Sequence, residues 1–170
     1  NVDYEMELIS GIYEILPNRF GAGIIQNNFE LLGEIKYTDS EINYANTILK
    51  ETGKELKGLD GTIKPLRPTL PATGGSTDVG DVSQVVPVVR LRTTTAAKDG
   101  PWHSWAVVAC TGMSIGHKGM IYASKALAMT MLDLYKNPKL IDGVKKEFLV
   151  RKGDRVYVPQ IPPGPPKLID

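Results

Sequence analysis

The sequence predicts an α/β fold in which helices pack on a small mixed sheet. Three observations carry that expectation. Val2, Tyr4, Met6 and Leu8 alternate with Asp3, Glu5 and Glu7, the period of a strand with one wet face. Residues 85–93 are crowded with β-branched side chains, and residues 104–110 read as a further extended apolar run. Between and after these lie stretches with the 3.6-residue period of amphipathic helices.

Taken in order, the leading alternation ends at Pro17-Asn18. No second strand pattern lies close by in sequence, so this strand must pair with a distant segment or with the sheet of another domain. Ile24, Ile25, Phe29, Leu31 and Leu32 then share a helical face, with Asn18 placed to cap the helix and Gly33 to end it. Gly21 and Gly23 weaken its first turns. Thr38 with Glu41 three residues on is a capping-box pattern ahead of Ile42, Ala45, Ile48 and Leu49, and Gly53 supplies the stop. Residues 54–75 are too broken by glycine and proline for a helix, and read as a long ordered or semi-ordered loop. After the two extended runs, residues 115–135 place Met120, Leu127, Met131, Leu134 and Tyr135 on one helical stripe. Ala123, Ala126 and Ala128 permit close approach to a neighbour. Asn137-Pro138 is a cap followed by proline at the first helical position, so a further helix runs to about residue 150. Residues 159–166 have the composition of a polyproline-like tail.

A chain of 170 residues fits one domain or pieces of two. The formal net charge of +1 gives no electrostatic reason to propose nucleic acid or an anionic membrane as partner. No apolar run approaches the length that spans a bilayer, and the first residues lack a signal-peptide pattern. Cys110 is the only cysteine, which excludes an internal disulfide framework and fits a reducing compartment. The expectation is a cytoplasmic chain. Asn1 stands where an initiator methionine would, which fits a true start upstream and equally fits processing or trimming of the terminus.

The candidate chemistry lies between residues 73 and 120. Gly74-Gly75-Ser76-Thr77-Asp78-Val79-Gly80-Asp81-Val82-Ser83 makes a polar, acceptor-rich turn. It has no phosphate-loop lysine after the glycines, and Asp78 and Asp81 lack the ligand spacing and distal glutamate of a calcium loop. His103, one of two histidines, lies between Trp102 and Ser104-Trp105. Its imidazole suits a metal, but a hydrogen-bonded boundary histidine has the same appearance. Asp78 and Asp81 would orient a ligand or form Asx-turns. Trp102 and Trp105 would flank an aromatic group or simply pack. His117, near the start of the long helix, suits capping or solvent better than ligation. Cys110 reads as an inert core thiol.

These motifs, with Ser114-Ile115-Gly116-His117-Lys118-Gly119-Met120 and Leu16-Pro17-Asn18, resemble the C-terminal part of the aminoacylase and carboxypeptidase family of zinc-type amidohydrolases, over about residues 4–150. The resemblance implies a catalytic α/β domain interrupted by a smaller lid or dimerisation domain. Residues 1–15 would end the lid, residues 16–158 would be the second half of a metallohydrolase catalytic domain, and residues 159–170 the tail. It matches His103 to the family's last metal-binding histidine, and Ser76, Thr77 and Asp78 to the polar loop beside the metals. The implied cofactor is zinc or another divalent ion in the full-length parent. The implied substrate is an acylated amino acid or peptide, of the aminobenzoyl-glutamate kind. An orphan strand at residues 2–8 and helices that would pack on the missing half-domain predict self-association, so a homo-oligomer is expected. The family's earlier His-x-Asp or Cys-x-His pair and its adjacent glutamates have no counterpart here, so no catalytic base is assigned and the chain alone is expected to be inactive, with no metal of its own. A rival reading is a non-catalytic binding or assembly module on the same half-fold.

Overall fold

The computed structural model describes residues 2–67 and 77–165. They form six helices and no strand: α1 (Arg19–Leu32), α2 (Asp39–Glu51), α3 (Val79–Val85), α4 (Trp105–Thr111), α5 (Ser114–Lys136) and α6 (Pro138–Lys152). The expected α/β architecture is therefore overturned. A strand exists only as one member of a pair, and none of the three extended runs finds a partner among the described residues. Val2, Tyr4 and Met6 lie exposed beside their polar neighbours. Residues 87–93 form neither helix nor strand, and side chains hold them in place where a ladder was expected. Val89 lies against Gly21, leaving no room there for a Cβ, and Thr93 Oγ1 donates to the Gly119 carbonyl at 3.2 Å. Residues 105–111 are helical, with Ala106 and Cys110 buried one turn apart.

The capped helices form where local chemistry places them. The Asn18 side-chain oxygen accepts from Gly21 N at 2.8 Å, while its amide donates to the Val144 carbonyl at 2.8 Å and so ties α1 to α6. Gly33 ends α1 at φ 74°, a conformation that favours glycine. Asn137 caps α6 and Pro138 opens it. Residues 54–67 are irregular yet pinned: Gly58 N donates to Asn46 Oδ1 at 2.8 Å, and Lys98 N donates to the Gly58 carbonyl at 2.9 Å.

α5 packs against α1, α4 and α6, and α4 also meets α2. The core gathers Ala45, Ile48, Leu49, Ala97, Ala106, Cys110 and Ile115, with Tyr37, Tyr44 and Leu59 on its edge. α5 does not bury the stripe of large residues that its sequence suggests. Met120, Leu127, Met131 and Tyr135 are exposed, and the buried face is Ile115, Gly116, Gly119, Ala126 and Thr130. Close backbone approach explains this choice: a Cβ on Gly119 would stand 2.3 Å from the Thr94 carbonyl oxygen. Asn28 of α1 reaches the same face, donating to Thr130 Oγ1 at 3.1 Å and Asp133 Oδ2 at 2.8 Å.

Glu41 joins α2 to α5. The capping box forms as expected, with Thr38 N donating to Glu41 Oε2 at 2.7 Å and Glu41 N to Thr38 Oγ1 at 3.3 Å. The same buried carboxylate accepts from Ser114 Oγ at 2.6 Å and Lys118 Nζ at 2.6 Å. Burial alone would raise its pKa, but the bonds from Lys118, Ser114 and Thr38 outweigh burial and hold it down at about 2 against an ordinary 4.5. The folded state thus prefers the carboxylate. Its stabilisation is complete above the ordinary value and drains away as pH falls toward the folded one. We expect urea unfolding to show a loss on the order of 2 kcal/mol from this group between pH 6 and pH 2. Glu41→Gln should be less stable at neutral pH and show a shallower acid limb; an unchanged acid limb would show that the clamp contributes nothing.

Candidate functional site

Two turns carry the residues singled out in the sequence, and each opens a short helix. The first leads into α3. Ser76 lies outside the described residues. Thr77 is half-buried and Asp78 exposed, and their bonds stay local: Thr77 Oγ1 to Asp78 Oδ1 at 3.4 Å, and Val79 N to Thr77 Oγ1 at 3.4 Å. Asp78 occupies the N-cap position of α3 but makes no side-chain cap bond, so its carboxylate faces solvent.

α3 itself was hidden within what reads as a polar turn, although Val79, Val82 and Val85 recur at helical spacing. Three of its side chains dock it on residues 13–16. Asp81 Oδ2 accepts from Tyr13 N at 3.3 Å and Oδ1 from Tyr157 OH at 3.1 Å. Ser83 Oγ accepts from Leu16 N at 2.8 Å, and Gln84 Nε2 donates to the Glu14 carbonyl at 2.9 Å. Asp81 thus tethers two segments that lie far from it along the chain. An open groove of about 350 Å³ runs beside it, between Val82, Val85, Val86 and Tyr157.

The second turn, residues 101–104, leads into α4. His103 is exposed and sits at φ 58°, one of two non-glycine residues with positive φ among the described residues. That conformation costs a side chain roughly 1–2 kcal/mol, although histidine enters it more readily than most. Its imidazole makes no hydrogen bond among the described residues. Ser104 caps α4, its Oγ accepting from Ala106 N at 3.3 Å and donating to the Pro101 carbonyl at 2.6 Å. Trp102 and Trp105 flank the turn, 68% and 55% exposed. Behind Trp102, against Ala97, Gly100 and Ala106, is a recess of only about 10 Å³, enough for a water molecule and far too small for an aromatic ring. Cys110 is fully buried, as expected of a core thiol, in a helix where a strand was expected. His117 is exposed in the first turn of α5.

Among the described residues no hydrogen bond joins the two turns, and no group of three or more His, Cys, Asp or Glu side chains is arranged to hold a metal ion. His103 offers one imidazole, and catalytic zinc commonly takes three protein ligands. The described donors therefore do not by themselves fit a metal centre.

Sequence comparison relates parts of the chain to known proteins. A stretch of 89 residues, 52% of this chain, is 35% identical to a p-aminobenzoyl-glutamate hydrolase subunit of Escherichia coli strain K12 and covers 18% of that protein. A stretch of 74 residues, 44% of the chain, is 38% identical to the Xaa-Arg dipeptidase of Mus musculus and covers 17% of it. The chain spans less than a fifth of the length of each of these relatives. No family profile and no solved structure matches it. The resemblance expected from the sequence holds: the chain is similar in sequence to peptidases and amidohydrolases, the p-aminobenzoyl-glutamate hydrolase among them.

Proposed function

We propose that this chain is one section of a metal-dependent amidohydrolase that cleaves the amide bond of an acylated amino acid, of the aminobenzoyl-glutamate kind. The observation that carries the reading is His103: an unbonded, solvent-facing imidazole on a turn held at an unfavourable backbone angle. Strained non-glycine positions persist where the surroundings over-determine them, and they cluster at functional sites. In this reading His103 supplies one ligand to zinc or another divalent ion, and the remaining donors come from outside the described residues. Ser76, Thr77 and Asp78 offer hydroxyls and an exposed carboxylate to the substrate or to the groups around the metal. No catalytic base is assigned within the chain.

The same reading extends to assembly and place. The bacterial relative is itself a subunit, which supports work within a multi-subunit complex, and we include a homo-oligomer in the proposal. No helix among the described residues is long and apolar enough to cross a membrane. A cytoplasmic location belongs to the proposal.

The test is made on the gene product that contains this chain. His103→Ala should leave the fold intact, remove metal, and lower hydrolysis of aminobenzoyl-glutamate on the order of a hundredfold or more, since even partners of metal ligands cost ten- to a hundredfold. A variant with its full metal complement and near-normal turnover would leave the rival reading, a non-catalytic binding or assembly module, standing. Backbone strain adds a second expectation for the 170-residue chain. At a position with negative φ alanine is more stable than glycine, whereas at His103 the order should reverse. His103→Gly should exceed His103→Ala by about 1 kcal/mol in urea unfolding.

A further inference from the structure

We infer that Ser104 is a positioning residue for His103, its hydroxyl closing the left-handed turn that presents the imidazole. The hydroxyl bridges the histidine on both sides: it donates to the carbonyl of Pro101, two residues before, and accepts from the amide of Ala106, three residues after. Both ends of this bridge are fixed. Ala106 is buried in the core with Cys110 and Ile115. Pro101 follows Gly100, whose amide donates to the Ala97 carbonyl at 3.2 Å, and Ala97 belongs to the same core. Pro101 also has its own φ set by its ring. Between these anchors the chain must turn within two residues, and His103 takes the positive φ that this requires.

No hydrogen bond to the imidazole fixes it among the described residues. In metal sites the ligating histidine is normally oriented by a partner on its second nitrogen. Here the orientation comes from the backbone, through Ser104. The role assigned to the imidazole rests on the function proposed above; the clamp itself does not.

Two properties of the hydroxyl separate this role from plain helix capping. A cap needs only an acceptor, and aspartate caps as well as serine does. The clamp also needs the donor toward Pro101, which an ionised carboxylate lacks. We therefore compare Ser104→Thr, which keeps both, with Ser104→Asp, which keeps only the acceptor, by NMR of the 170-residue chain. Positive φ brings a residue's own amide and α protons close and gives a strong cross-peak between them. Ser104→Thr should retain that cross-peak at His103. Ser104→Asp should retain helical shifts across residues 105–111 while the His103 cross-peak falls to the strength of its neighbours. A full-strength cross-peak in Ser104→Asp would overturn the inference.

Should Ser104→Asp fail to fold, a double-mutant cycle decides. Glycine takes positive φ without help, so the Tm change caused by Ser104→Ala should differ between the native background and His103→Gly; equal changes would overturn the clamp. The arms are separable from the hydrolysis test. Loss of the cross-peak together with full metal content and near-normal turnover of His103→Ala in the parent would keep the clamp and discard the metal reading, and the opposite pair of results would do the reverse.

Discussion

The Glu41 carboxylate is the constraint on which the arrangement of the helices turns. It completes the capping box of α2 and takes two further bonds from the first turn of α5, so the start of one helix is fixed against the start of another. α5 carries α1, α4 and α6. Whatever sets its first turn therefore sets the frame. An ionised group buried with several good donors is held more firmly than a surface pair, because each lost bond would leave a charge without its partner. Glycines make the geometry possible. Gly116 lies so close to the Thr111 carbonyl that a Cβ would stand 2.2 Å from its oxygen.

What was legible in the sequence was local. Asn18, Thr38 with Glu41, Gly33 and Asn137-Pro138 act within a few residues of themselves, so their patterns foretold α1, α2 and α6 closely. Strands were misread because pairing is a property of two segments, and alternation in one of them says nothing about whether the other is present. Residues 104–110 misled for another reason: nearly every position after Trp105 is apolar, so neither period stands out, and only Ser104 as a cap argued for helix. In α5 the large residues drew attention to one face while the small ones decided the packing.

The site was legible in part. His103 stood out because histidine is scarce here, but its positive φ could not be read from a residue that is not glycine. Asp78 and Asp81 looked equivalent in sequence. In the structure one faces water and the other is engaged by Tyr13 and Tyr157, a difference set by segments far along the chain.

That last contact bears on the order in which the molecule assembles. The turn between α5 and α6 joins neighbours in sequence and closes at little entropic cost. α3 has only seven residues, too few to persist alone, and its docking bonds reach 68 residues back to Tyr13 and 76 forward to Tyr157. Large loops must close before those contacts return any energy. The helix that follows the Thr77-Asp78 turn is thus anchored by contacts that form only after large loops have closed. It loses that anchorage when those distant arms let go.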